Sequence, residues 1–505
     1  MVPVAAVETE SGPRTYGNWR KPTSPGLLGL GSVGTALLLA SLIILILMIT
    51  IAGLLPALIA FVVLAVVMAA VVVKDKHGMN TLSRSGAKWG FRMAKWRGKN
   101  IYRSGPLGRA HWGTYQLPGL AAPMRLSEHR DSYDRPFALI YTPRQSTYTV
   151  VFGTSPAGAS LVDVEQVDYW VADWGHWLAN LGNEPGVVAA SVTLETAPDT
   201  GTALRREVEW NIDSDAPAYA RAVMLDTVEE YPSGSAKVDA YVAVTFSAAA
   251  RSGGKRRTPE EMGRELAARL PALSQNLQAT GAGAARALTA QDLCELVRVA
   301  YDPAVAVLID EAHMQGNTPE LSWSDVGPSA HQASWDGYRH DSAYSTTWAM
   351  TGAPRGHVQS GVLRRLLQPH RDIARKRVTL TYQAVDPGRA AGIVEADRNA
   401  AAFKVTGNAK ATQRDIDAVK ATAASASEES SGAGLVEFGM LVTATVTDSS
   451  MIADAHAAVD NLGASARLLL RPVYGSQDSA FAAALPLGLV LPKHLMVPAA
   501  FREKL

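Results

Sequence analysis

The string with the clearest chemical promise is Val305-Ala306-Val307-Leu308-Ile309 followed by Asp310-Glu311-Ala312-His313. A hydrophobic strand ending in Asp-Glu-Ala-His is how nucleotide-driven helicases present a Mg²⁺-binding carboxylate beside a water-activating glutamate. That chemistry needs a phosphate cradle upstream, because the carboxylate acts through a metal on a nucleotide held by Gly-rich backbone amides and a Lys. No G-x-x-x-x-G-K-[ST] occurs: Gly254-Lys255 is followed by Arg256 and has Ala249 at the first glycine position, and no Lys follows Gly281-Ala282-Gly283. Pro303 stands just before the run, so the same residues also read as a helix ending near Gly316. A nucleotide hydrolase using Asp310 and Glu311 is therefore kept only as an alternative.

The other reactive side chains are dispersed. No His-Glu-x-x-His and no Gly-x-Ser-x-Gly occurs, and the eleven His stand singly. Arg339-His340-Asp341 and His370-Arg371-Asp372 are the close His–carboxylate pairs, and both read as loop or surface polar bonding. Cys294, between Leu293 and Glu295 in a helical pattern, reads as a buried, inert thiol. One cysteine also excludes an intramolecular disulfide and a Cys-rich metal cluster. We therefore expect no catalytic, cofactor-binding or metal-ligating residues, and a chain that is not an enzyme.

The elements around these residues speak first about location. Between Lys21 and Lys74 there is no charged residue, a stretch too long for one span, since a helix crosses the hydrocarbon in about 20 residues. Leu27–Thr50 and Leu54–Val73 each suffice, with Ala52-Gly53-Leu54-Leu55-Pro56 as the break. The expectation is a transmembrane hairpin over 26–73 after a tail over 1–25. A cleavable signal peptide does not fit, because the apolar run starts late and is too long. Residues 74–109 hold ten Lys/Arg against one acid, Asp75, while the whole chain balances 48 Lys+Arg against 47 Asp+Glu, so the rest is net acidic. Arg14, Arg20 and Lys21 before the first span and Lys74, Lys76, Arg84, Lys88, Arg92, Lys95, Arg97 and Lys99 after the second keep both ends cytoplasmic. The expected location is the plasma membrane, multi-pass, with the body in the cytosol. Thr81–Lys99 alternates Leu82, Trp89, Met93 and Trp96 with basic residues, which suits a helix on an anionic inner leaflet or a plain stop-transfer flank; a nucleic-acid surface fits the same pattern in principle, but membrane proximity already explains both features.

Beyond this collar, Asn100–Met124 is Gly/Pro-rich and reads as a linker, closing a collar-and-linker region over 74–124. Residues 125–505 read as a cytosolic α+β body. Arg135–Phe152 looks like a hairpin; Val187–Glu195, Val238–Ser247, Arg375–Ala384, Leu435–Thr447 and Ala466–Pro472 look like strands. Leu161–Gly182 is helical, with Val167, Trp170, Trp174 and Trp177 on one stripe that reads as core or subunit interface. Pro217–Tyr231, Val362–Leu367 and Ser450–Leu462 are helical in character. Thr258-Pro259-Glu260-Glu261 and Thr289 mark two helix starts. Asn317–Met350 reads as irregular, and Asp386–Gly434 as a helical excursion with a flexible tip at Ala424–Gly434.

Several blocks, TYGNWRKPTSPGL, IYRSGPLG, ASVTLETAPDTGTALRREV, VTFSAAARSGGKRRTPEEM, SWDGYRHDSAYSTTWAM and ARKRVTLTYQAVDP, resemble an actinobacterial family of conjugative-element integral membrane proteins found with type IV secretion-like machinery. The body is also similar to the N-terminal, non-motor domain of the type IV secretion ATPase, through Leu288–Pro303 and through Val436–Gly488 with its closing Leu485-Pro486. In those ATPases a P-loop motor follows; here fewer than twenty residues do. The two apolar segments resemble the small two-span inner-membrane subunit that docks on that ATPase. The resemblance implies a membrane-anchored docking subunit of a conjugative apparatus, with the lipid bilayer, a separate secretion ATPase and further copies or subunits as partners. A peripheral subunit of a type VII-like secretion complex is the alternative within the same class.

Overall fold

The structure, a computed structural model, describes residues 14–17, 19, 31–72, 81–106, 108, 113–156, 158, 161–230, 236–249, 255–354, 356–407, 412–430, 432 and 434–494. Two apolar helices come first, α1 (Gly31–Ala52) and α2 (Leu54–Val72). Gly53 alone separates them, at a φ of +85°, a left-handed conformation that glycine adopts without steric cost. Pro56 falls in the first turn of α2, where a missing N–H interrupts no helical bond. Gly34–Ala52, with a mean hydropathy of 2.8, is long and apolar enough to cross a bilayer; the apolar run of α2, Leu54–Ala69, is shorter. Ile44 and Met48 share a shallow groove with Ile59 and Val63, where the two helices meet. The flanking charges at Arg20, Lys21, Lys74 and Lys76 lie outside the described residues.

α3 (Thr81–Trp96) leads into β1 (Ile101–Arg103), the outermost strand of one antiparallel sheet of 13 strands. The α+β expectation holds. The sheet is built of two halves with the same order of elements. The first runs β2 (Arg125–Arg130), β3 (Pro136–Thr142), β4 (Thr147–Thr154), α4 (Val164–Leu181), β5 (Val187–Pro198), α5 (Thr202–Asn211), α6 (Ala218–Glu230), β6 (Ala236–Ser247), α7 (Pro259–Leu277), β7 (Ala285–Ala287) and α8 (Ala290–Tyr301). After α9 (Val305–Met314), the second runs β8 (Ala330–Ala333), β9 (Tyr338–His340), β10 (Ala343–Gly352), α10 (Arg364–Leu367), β11 (Arg375–Ala384), α11 (Pro387–Gly407), α12 (Gln413–Ser430), β12 (Val436–Val446), α13 (Ile452–Ser465), β13 (Leu469–Pro472) and α14 (Gln477–Ala483).

Within each half the strands lie β7-β4-β6-β5 and β13-β10-β12-β11, the order of a split β-α-β-β-α-β unit. The halves meet where β5 runs antiparallel to β11 with Thr193 opposite Thr379, so a local twofold axis relates them. The sequence carries one trace of this duplication: Val192-Thr193-Leu194 and Val378-Thr379-Leu380 flank the axis.

Burial follows from the layers. On one face, Trp177 and Leu181 of α4 and Met262, Leu266 and Leu270 of α7 cover Phe137, Leu139, Tyr148 and Phe246. The equivalent core of the second half joins Leu366 of α10 and Val459 and Leu462 of α13 to Trp348, Val442 and Val446. On the other face, Leu293, Val297 and Tyr301 of α8 and Phe481, Leu485 and Leu487 of the closing segment cover Ile140, Val151 and Tyr338. The two helix starts are as expected: Thr258 with Glu261, and Thr289 with Asp292, each form a reciprocal capping box.

Three expectations are corrected. Asn100–Met124 is no free linker, because β1 pairs with β8 and Leu117, Ala121 and Met124 enter the core. Asn317–Met350 is only partly irregular: it supplies β8, β9 and most of β10. The flexible tip at Ala424–Gly434 is largely the last turns of α12, since Ala- and Glu-rich sequence favours helix once it has α11 to pack on. Helix α5 is an additional element.

Candidate functional site

The Asp-Glu-Ala-His string lies on helix α9 rather than at the end of a strand. Thr200 Oγ1 donates to the Asp310 carboxylate at 2.8 Å, and the His313 ring meets Glu295 at 3.0 Å. Both contacts tie α9 to its neighbours, the β5–α5 connection and α8. Among the described residues no group of three His, Cys, Asp or Glu side chains is placed to hold a metal ion. Cys294 is buried in α8, and burial pushes its thiol up to about 12, which fits the inert thiol expected.

The most concentrated buried chemistry lies beside the twofold axis. Glu195 on β5 accepts from Arg375 Nε and Nη2 through one oxygen (3.0 and 2.8 Å) and from Arg377 Nε and Nη2 through the other (2.9 and 2.8 Å). Burial raises the carboxyl, but the two guanidinium charges outweigh it and hold Glu195 at about 2. Arg377 also stands over the Phe481 ring at 5.6 Å. Between the arginines, Lys376 is buried against the Gln368 carbonyl, and burial draws its ammonium down to about 8. None of these residues stands out in the sequence as a site. The available signal was a charged Arg-Lys-Arg triplet opening an otherwise uncharged strand.

The expectation for His340 is also corrected. Read as loop or surface, it is fully buried in β9: Nδ1–H donates to the Tyr301 carbonyl and Nε2 accepts from Ser345 Oγ at 2.8 Å. Its ring packs against Phe481 and Tyr338, and His331 lies opposite it in register on β8. Burial lowers both rings to about 4, so both are neutral at pH 7. His370, by contrast, sits half-buried in a turn 3.7 Å from Asp372, as expected of a polar loop. The C-terminal part of the α4 tryptophan stripe belongs to the core: Trp177 is buried, Trp174 stacks on it at 4.7 Å and meets the edge of Tyr382, while Val167 and Trp170 are half-buried.

A row of buried hydroxyls receives the closing segment of the chain. Thr149 pairs with Thr245, Thr193 with Thr379, and Thr347 with Thr443, at 3.0, 3.1 and 2.9 Å. Thr379 Oγ1 donates to the Ala484 carbonyl at 2.6 Å, Gln477 bonds both backbone groups of Thr347, and Gln145 bonds both backbone groups of Val490. The residues around Leu485-Pro486 therefore cross the sheet as part of its core.

The second half also keeps an open groove of about 380 Å³ between α13 and β9–β10, lined by Arg339, Tyr344, Thr346, Trp348, Ile452 and His456. In the first half, α7, with 19 residues against the 14 of α13, extends over the matching strands. There Phe137 and Leu139 meet it, whereas Arg339 of β9 and the preceding Gly337 line the groove.

α3 stands apart from these buried clusters. Trp89 and Trp96 are exposed, as are Arg84, Lys88, Arg92 and Lys95, while Phe91 meets the ring of Trp335 at 5.6 Å. A family model described as a domain of unknown function (DUF8461) matches residues 23–83, the stretch holding α1 and α2. No curated protein matches the chain.

Proposed function

We propose that this chain is a membrane-anchored docking subunit of a type IV secretion-like, conjugative apparatus, related to the non-motor domain of the secretion ATPase and seating a separate ATPase at the inner face of the plasma membrane. The observation that carries the anchoring is Tyr16. It pairs with Val358 through both backbone groups, and its hydroxyl donates to Asp168 on α4 at 2.9 Å. A residue preceding α1 thus touches the body that follows α3, so both lie on one side of any bilayer that α1 crosses. The chain must then return, and α2 is the element available: its 19 residues at 1.5 Å each reach about 28 Å, close to the hydrocarbon thickness. The basic collar supports the cytoplasm as that shared side.

The docking role is supported by what the body presents. Trp210 and Tyr219 of α5 and α6, Met224 of α6, and Val307 and Leu308 of α9 are exposed on neighbouring helices. Exposed apolar groups in such number mark interaction surfaces. Deletion of the chain is expected to abolish conjugative transfer or secretion, with recovery on re-expression. Unchanged transfer in the deletion strain overturns the proposal.

A further inference from the structure

We propose that α3 is an interfacial helix that recognises an anionic lipid leaflet while holding the body against it. This rests on the membrane-anchored reading and names the partner of its collar.

Two faces of one helix and the residue that fastens it to the body carry the inference. At about 100° per residue, Trp89, Met93 and Trp96 share a stripe, and the two indoles are 67% and 81% exposed. Arg84, Lys88, Arg92 and Lys95, all exposed, form a second face, and the 16 residues of the helix contain no acid. Phe91 lies at the edge of this basic face, about 20° from Arg84 and about 160° from Trp89. It meets Trp335 edge-on, Trp335 stacks on Tyr474 at 5.6 Å, and Gly475 N–H donates to the Trp335 carbonyl at 2.7 Å. Gly475 has a φ of +78°, and a Cβ there would stand 2.7 Å from the Trp335 ring, so glycine is what lets this clamp close.

The body thus grips α3 by Phe91 and leaves the tryptophan stripe and the cations outward. A helix packed only on protein turns its indoles inward. One that exposes them beside a run of cations, a few residues after an apolar helix, matches the layered chemistry of a headgroup region: indoles at interface depth and basic side chains at the phosphates. A nucleic-acid surface would use the same cations, but it leaves the position of the helix directly after α2 without a role.

The test is amide hydrogen exchange over Thr81–Trp96 in the full-length protein, reconstituted in nanodiscs of phosphatidylcholine alone or with phosphatidylglycerol added. Exchange is expected to slow by about tenfold or more in the anionic discs. A Lys88→Gln, Arg92→Gln, Lys95→Gln variant should lose the difference, and Trp89→Ala with Trp96→Ala should raise exchange in both discs. Equal exchange in the two compositions, by a protein that has entered both, overturns lipid recognition and leaves the anchor intact. Slowing by single-stranded DNA in neutral discs, without an effect of anionic lipid, overturns it in favour of nucleic acid. A protein that enters neither disc overturns the anchor and this inference together.

Discussion

Replacing Glu195 with Gln leaves Arg377 buried and Arg375 half-buried beside a neutral amide. Breaking a buried ion cluster by removing one partner costs about 3–5 kcal/mol, and thermal unfolding of Glu195→Gln should show a loss of that size. Because Glu195 is held at about 2 in the fold and titrates near 4.5 when unfolded, its stabilisation is full above pH 4.5 and is lost as the pH falls towards 2. His340 and His331 act at higher pH. Their folded values of about 4 lie below the ordinary 6.5, so the unfolded chain binds more protons and stability falls as the pH drops from 6.5 to 4. A displacement of this size makes His340 worth on the order of 3 kcal/mol across that window. The unfolding midpoint should fall between pH 6.5 and 4, and His340→Gln should flatten the slope; an unchanged slope would place the acid sensitivity elsewhere. Neither cluster was legible in the sequence, since a His between Arg and Asp looks solvated until β8 and Phe481 are known to cover it. Cys294 was legible because its helical neighbours already placed it on an apolar face.

At the scale of elements, the capping boxes and the alternating strands were readable because their signals are local. Strands β8 and β9 were not, for they are four and three residues long and gain their pairing from β1 and β10. The Asp-Glu-Ala-His string misleads in the opposite way, since a short apolar run does not distinguish strand from helix. On α9 Asp310 serves as an acceptor for Thr200, which Asn can replace, so an Asp310→Asn, Glu311→Gln double variant should keep its stability within about 1 kcal/mol and retain full activity in transfer assays. Loss of activity in a folded double variant would revive the hydrolase alternative. Leu266 on α7 lies fully inside the first core, and Leu266→Ala should cost about 2–5 kcal/mol in thermal or denaturant unfolding.

For the whole molecule, duplication explains the architecture: two split units share a sheet, and the closing segment seals the face between them. The sequence displayed the α+β class and the apolar N-terminal stretch, whereas the twofold rests on a three-residue echo beside the axis. Anchoring predicts that Ile43→Arg, near the middle of α1, will impair insertion by about 2.5–3.5 kcal/mol, seen as a loss of carbonate-resistant protein. The docking claim is tested most directly by purifying the full-length protein from native membranes in mild detergent and identifying its stoichiometric companions by mass spectrometry. The account predicts a P-loop ATPase among them, lost from the Trp210→Glu, Leu308→Glu variant. A protein that is inserted in its membrane yet emerges without an ATPase would contradict it.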